Sequence, residues 1–420
     1  MIAVKTFILK RLLLFTLAAA LAGSQASAQI FTIPHDFSGV DDGINPSANL
    51  ILSGNTLYGT TTGGGSQYGG TVFAIHTDGT CYTNLCNFNG IDGEAPFAGL
   101  ILSGNTLYGT TVNGGTNGNG TVFAINTDGT GFTNLHYFST AITNSLGTYT
   151  NSDGAKPYAG LVLCGNTLYG TASEGGANGN GTVFAINTDG SGFTNLHNFA
   201  ILDSGTNSDG ANPYAALILA DSTLYGTAEQ GGSFGYGMIF KINTDGTGFT
   251  NLYSFTGGGE GANPEASLIL SGNKLYGTEK QGGSPGFDSH SGSGTVFSIN
   301  TDGTDFTTLN DFNPSGINVE AVFPEASLVL SGNTLYGTTL EGGDYFFEGT
   351  VFALSLGSIP LNVQSSGQNL VLTWGNPAFS LQSSCALTGQ WTTLSNAASP
   401  YTLSASSPQA FFRLAYTNSP

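Results

Sequence analysis

The chain is built from six copies of one unit. The string LILSGNTLYGTT that begins at Leu50 returns unchanged from Leu100, then as LVLCGNTLYGTA from Leu161, LILADSTLYGTA from Leu217, LILSGNKLYGTE from Leu268 and LVLSGNTLYGTT from Leu328. Behind each copy come a Gly-Gly pair and a GTVFAI-like run opened by Gly70, Gly120, Gly181, Gly237, Gly294 or Gly349. Five copies continue into Thr-Asp-Gly and an FTNLHxF-like run. The unit is about 50 to 60 residues long, a period that marks propellers and solenoids.

Inside one unit the segments are short and β-favouring. Residues 100–102, 106–111, 121–126 and 132–138 read as four strands. Ser-Gly-Asn joins the first two, and Thr127-Asp128-Gly129 joins the last two as a hairpin turn, because glycine accepts positive φ. No segment has the length and 3.6-residue period of a helix. The expected fold is all-β: a six-bladed β-propeller of four-stranded blades. Residues 31–37, FTIPHDF, match the fourth strand FTNLHYF at 132–138, and the sixth copy lacks that strand. The expectation is therefore a ring closed by the N-terminal strand lying beside residues 350–354, which removes the open edges.

In layout the unit resembles the blades of quinoprotein-type and kelch-type propellers. LYGTT, Gly-Gly, GTVFAI and the Asp-Gly-x-x-Pro segment resemble the bacterial tandem-repeat proteins of GloVer type, among the "choice-of-anchor" surface proteins, over roughly residues 31–354. That resemblance implies export and a repeat architecture and brings no established activity. Residues 358–420 break the pattern and read as short alternating strands with Trp374 and Trp391 as core anchors. They resemble small immunoglobulin-like or fibronectin-like modules. The expected division is 1–28, 29–357 and 358–420.

Residues 1–28 hold Lys5, Lys10 and Arg11, then an apolar run from Leu12 to Leu21, then Ala26-Ser27-Ala28. This is the order of a secretory signal peptide, too short in its apolar part to span a bilayer, and no later stretch approaches spanning length. An exported chain without a membrane span in its mature part is expected, placed outside the cell, on its surface or in the periplasm. The formal charge of -19, from 27 acidic and 8 basic residues, leaves no basic face for nucleic acid. Cys81, Cys86, Cys164 and Cys385 do not form a disulfide framework and read as scattered buried thiols.

In a four-stranded blade the two tight turns share one face, and the longer second-to-third loops and interblade connections share the other. The second face varies in this sequence and is the place to look for binding. Its ligand-binding candidates are Glu174, Glu229, Glu279, Glu341, Asp344, Tyr345, Tyr158 and Tyr214. Asp42, Asp92, Asp153, Asp209, Glu260 and Glu320 form a carboxylate ring, each four residues ahead of a proline. Because every unit carries one, a turn-shaping role outweighs a ligand rim. Asp78, Asp128, Asp189, Asp245 and Asp302 sit in turns too short to wrap calcium and lack the downstream Glu of an EF-hand, so calcium stays unsupported and no cofactor or metal site is expected.

Two Gly-x-Ser-x-Gly matches, at 231–235 and 282–286, precede no helix. His35, His136 and His197 occupy one equivalent position in different units and cannot share a metal. The function that fits best is an exported, non-catalytic scaffold binding a glycan, a surface polymer or a protein through the variable face. An architectural envelope protein, and a carbohydrate-active hydrolase or lyase working with paired carboxylates, are the alternatives.

Overall fold

The computed structural model describes residues 32–143, 148–283, 292–312, 321–342 and 349–356, and beyond them 362–366, 369–374, 379–384, 390, 392–394, 399–404 and 411–416. Residues 1–31, and with them the signal-like segment, lie outside this set. The described chain is all-β. Five copies of the unit form four-stranded antiparallel sheets in simple sequential order, and the sixth forms three strands.

Blade 2 shows how the unit works. Ile101–Ser103 pairs with Thr106–Thr111, that strand with Thr121–Asn126, and that in turn with Thr133–Tyr137. Both central strands are buried along nearly their whole length, which is why the sequence reads as the apolar runs TLYGTT and TVFAIN rather than as alternation. Between the third and fourth strands the register shifts after Val122, so that Leu135 has no partner. The same bulge recurs in the other four complete blades. It adds twist at the outer edge of each sheet.

Neighbouring blades are joined by one kind of apolar cluster. Tyr58, Val72, Ala74 and Phe88 of blade 1 pack with Leu100, Leu107, Phe123 and Ile125 of blade 2, and the next four interfaces repeat the pattern. The Tyr of LYGT is therefore an interface residue, buried at Tyr58, Tyr108, Tyr169, Tyr225 and Tyr276 and exposed at Tyr336, where no blade follows. The Gly after it is required by space: a Cβ on Gly170 would come within 2.6 Å of the Phe184 ring and 2.9 Å of Leu161.

One expectation is not shown, and another needs correction. Residues 31–37 were expected beside residues 350–354, and the described residues do not show that pairing: Thr350–Ser355 is paired with Thr334–Thr339 alone. The described part of the N-terminal segment instead rests on blade 1, with His35 stacked on Tyr82 and Phe37 edge-on to Phe73. Its contacts with the blade that follows it are thus in place. The thiols were expected to be buried but are not: Cys81 and Cys164 are exposed beside tight turns, Cys164 as the last residue of its strand, and Cys86 is half-buried. Cys385 lies outside the described residues.

Beyond residue 356 the chain forms two three-stranded antiparallel sheets. Leu372, Trp374 and Leu381 make their buried core, with Leu394, Tyr401, Leu403, Phe412 and Leu414 against it. Trp391 lies outside the described residues.

Candidate functional site

The two ends of the blades differ in kind. At the tight-turn end, the Asp128 carboxylate accepts the Thr130 N–H and hydroxyl, and the Thr127 N–H donates to the Asn105 carbonyl. Asp78, Asp189, Asp245 and Asp302 repeat the arrangement, with the Thr or Ser hydroxyl two residues on holding each carboxyl below its ordinary range. These acids are spent on their own turns. At the other end, each second-to-third loop is bridged to an interblade connection: Gly63 to Ile44, Asn113 to Glu94, Glu174 to Ala155, Gln230 to Ala211, Gln281 to Ala262 and Glu341 to Val322. The variable segments therefore share one face and are held by backbone hydrogen bonds. Glu174 stands exposed on it and Glu341 half-exposed.

The carboxylates of the connections point inward to their own backbone. Asp42 accepts the N–H groups of Ser38 and Gly39 at 2.9 and 3.0 Å, Asp92 that of Asn89 at 2.8 Å, Asp153 that of Ser139 at 3.0 Å, Asp209 that of Ala200 at 3.2 Å and Glu260 that of Thr256 at 3.2 Å. Partial burial pushes the Asp42 carboxyl up, but the Ser38 and Gly39 donors prevail and hold it at about 2. Three of these acids also meet a histidine: His35 Nε2 lies 3.1 Å from Asp42, and His136 and His197 lie 2.8 Å from Asp153 and Asp209. Glu320 lies outside the described residues, as do Asp344 and Tyr345.

Glu279, expected among the ligand contacts, is instead completely buried at the end of a second strand, where Thr61, Thr111 and Thr339 stand in other blades. It accepts the Thr295 hydroxyl on one oxygen, and its other oxygen has no partner. Burial raises its carboxyl well above the ordinary value, with the Thr295 hydroxyl opposing. A group with no path to solvent cannot touch a ligand on the loop face.

The asymmetric chemistry lies where the connections enter the first strands. These segments run side by side from blade to blade: a Cβ on Gly99 would meet the Asn49 carbonyl at 3.3 Å, a Cβ on Gly160 the Gly99 carbonyl at 3.3 Å, and the Ala216 N–H donates to Ser267 Oγ. The residue after the proline in each segment is Ser47, Phe97, Tyr158, Tyr214, Glu265 or Glu325. Phe97 and Tyr158 have ring centroids 5.6 Å apart, and Tyr158 and Tyr214 are 5.2 Å apart, so three aromatic rings form a continuous row.

The row continues as charge. Lys280 bridges Glu265 at 3.1 Å and Glu325 at 2.8 Å. Burial lowers the Lys280 ammonium, but the hydrogen bonds it donates to Glu325 and Glu265 outweigh it and raise its affinity for the proton. Glu229 stands next in the row without an ion pair; burial first, and the Glu265 charge second, push its carboxyl above the ordinary range. The Tyr214 hydroxyl is pushed up to about 12 by burial and by the charges of Glu229 and Glu174.

Of the sequence candidates, Tyr158, Tyr214 and Glu229 thus come together with Glu174 nearby, and Glu341 stands apart on its loop. Phe97, Glu265, Lys280 and Glu325 were missed. The available signal was the one changing position in the otherwise constant Pro-x-Ala element.

Among the described residues, no three His, Cys, Asp or Glu side chains are grouped so as to hold a metal ion, and no helix is long and apolar enough to cross a membrane. Solved structures similar to the chain include a nidogen/laminin complex (TM-score 0.39, 13% identity, covering 72% of this chain and 99% of that one). TolB from Acinetobacter baumannii gives a TM-score of 0.36 at 10% identity, with 73% of this chain and 57% of TolB covered. The GH74 enzyme of Niastella koreensis gives 0.40 at 16% identity, with 81% of this chain and 50% of the enzyme covered. Nothing about ligand or activity passes from these three to the present protein. No curated protein matches the chain in sequence. The model of the Gloeobacter/Verrucomicrobia repeat does match, over residues 21–148 and 199–366, which takes in most of the blades just described. By this match the chain belongs to the Gloeobacter/Verrucomicrobia repeat family.

Proposed function

We propose that this protein is an exported, non-catalytic scaffold of six blades that binds a glycan along the aromatic row of its loop face. The observation that carries the reading is the sequence of touching rings Phe97, Tyr158 and Tyr214. Sugar rings present apolar C–H faces that stack on aromatic side chains, and rings 5 to 6 Å apart offer such faces in succession. Glu174, Glu229 and the Glu265–Lys280–Glu325 bridge supply hydrogen-bonding groups at one end of the row. The reading includes removal of residues 1–28 on export, residues 29–357 as the scaffold and 358–420 as a separate β-module.

The test is a glycan array probed with the secreted protein and with a Tyr158→Ala, Tyr214→Ala double variant. The expected result is binding to a defined set of polysaccharides that falls at least ~10-fold in the double variant, since a lost aromatic anchor costs about 1–3 kcal/mol. Binding that is equal in the two proteins, or absent from every glycan, overturns the assignment.

One observation favours a second reading, a glycoside hydrolase. Glu229 holds its proton more tightly than an ordinary carboxyl, and Glu265 stands close by in its ion pair with Lys280. A carboxyl of raised proton affinity beside a second one held in an ion pair is the arrangement such chemistry needs. Release of reducing ends from a bound polysaccharide, abolished by Glu229→Gln, would move the assignment to an enzyme.

A further inference from the structure

The two ends of the blade array expose residues that are buried everywhere else. Leu50, on the leading side of blade 1, is 52% exposed, while its counterpart Leu100 is 5% exposed. On the trailing side of blade 6, Tyr336 and Val351 are 42% and 80% exposed, against 3% and 0% for Tyr276 and Val296. In each interior interface the preceding blade supplies the Tyr and a Val or Ile, and the following blade supplies the Leu. The two ends are therefore the two halves of one more interface of the same kind.

We infer that this sixth interface forms within the chain, with residues 32–37 entering the vacant fourth-strand slot of blade 6. The slot is a groove lined by Asn310, Asp311, Phe312, Ala321 and residues 350–354. The segment already makes the contacts that a fourth strand makes with the blade after it. His35 stacks on Tyr82 with centroids 3.9 Å apart, as His136 does on Phe193 at 3.7 Å. Phe37 meets Phe73 edge-on at 5.4 Å, as Phe88 meets Phe123 at 5.2 Å. His35 reaches Asp42 as His136 reaches Asp153. Only the pairing with a third strand is missing.

The register follows from the five complete blades. Thr121 faces Tyr137, Val122 faces His136 and Phe123 faces Asn134, with Leu135 unpaired at the bulge. Transferred to blade 6, Thr350 faces Asp36, Val351 faces His35 and Phe352 faces Ile33. Pro34 then falls on the bulge, the one position in the strand whose missing N–H costs no ladder bond. Phe138 donates its N–H to the Gly120 carbonyl, and Phe88, Phe199, Phe255 and Phe312 do the same to Gly70, Gly181, Gly237 and Gly294. Phe37 and Gly349 are the sixth such pair. A segment tethered to the same chain reaches the slot at a far higher effective concentration than one from a second molecule, and closing the ring leaves no edge for a second copy to join.

This inference is independent of the ligand. Its test is the double variant Asp36→Cys, Thr350→Cys in the full chain, with Cys81, Cys86, Cys164 and Cys385 replaced by Ser. Directly opposed residues in an antiparallel pair have Cα atoms at disulfide distance. Mild oxidation should give an intrachain disulfide in a monomer, absent from either single variant. Hydrogen exchange on the unaltered protein provides a second measurement, since the outward-facing amides of Thr350–Ser355 should exchange at least ~100-fold more slowly than those of an open strand edge. Disulfides only between chains, or exchange at open-edge rates, would overturn closure within the chain.

Discussion

The imidazole of His136 lies flat on the ring of Phe193, with centroids 3.7 Å apart, while its Nε2 reaches Asp153 at 2.8 Å. The three residues belong to the fourth strand of blade 2, to blade 3 and to the connection between them. One side chain thus joins a blade to its successor and also fixes the loop that links them. Asp153 further accepts the N–H and the hydroxyl of Ser139.

Burial works against the Asp153 charge, but the His136 and Ser139 hydrogen bonds outweigh it and keep the carboxyl below its ordinary value. A depressed value in the folded state means that the stabilisation is present above the unfolded carboxyl range and is lost as pH falls through the folded value. Asp153→Asn should lower stability at pH 7 by about 1–3 kcal/mol and flatten the acid limb of melting temperature against pH. Thermal melts from pH 6 to pH 2 check this; an unchanged acid limb would show that Asp153 carries no proton linkage.

Glu279 is the opposite case. Its raised carboxyl means that the folded state holds the proton more tightly, so stability is full below the unfolded carboxyl range and declines as pH rises through the folded value. Three other blades place Thr there, bonded to a second Thr, as in the Thr61 and Thr71 pair at 2.9 Å. Glu279→Thr should therefore stabilise the protein at pH 8 by about 1–3 kcal/mol, the cost of leaving a buried polar group without a partner. The gain should shrink toward pH 4 in parallel denaturation curves.

Cys81 occupies a left-handed backbone position, φ 57°, that Gly131, Gly192 and Gly248 fill in other blades. Cys81→Gly should raise stability by about 0.5–1 kcal/mol, read as a shift in urea midpoint. The thiols should also separate by reactivity. Burial and the Asp92 charge push the Cys86 thiol up to about 12, whereas Cys81 and Cys164 are exposed. Alkylation at pH 8 followed by mass spectrometry should mark Cys81 and Cys164 first and Cys86 only after unfolding.

Gly170→Ala and Gly104→Ala should both destabilise, for different reasons. The first drives a methyl into Phe184 and Leu161, an overpacking that costs about 1–3 kcal/mol. The second meets nothing within 4 Å but holds φ at +60°, which costs about 1 kcal/mol. Double substitution with Phe184→Leu should recover part of the first loss and leave the second untouched.

The blades, the turns and the two unlike faces were legible in the sequence because each rests on local chemistry repeated in every copy. A Thr-Asp-Gly turn forms the same way wherever it occurs. The row of rings and charges was harder to read. Phe97, Glu265 and Glu325 belong to different repeats, and Lys280 follows Glu265 by 15 residues in one of them, so their arrangement depends on the packing of connections such as Asn49 against Gly99. Glu279 misled for a related reason: it was placed among the candidates of the variable face, but the strand that ends on it carries its side chain into the packed interior. The histidines could have been paired with their acids, since His35, His136 and His197 occur only in copies whose connection carries Asp.

Every interior seam between blades is made from the same set of side chains, so no seam is a keystone. In such an array the strength of the whole resides in contacts between nearest neighbours, and damage spreads from where neighbours are missing. With residues 32–37 seated in blade 6, heat, protease or mechanical load must first part that strand; only then should the repeats come away from an outermost one inward, like rungs leaving a ladder.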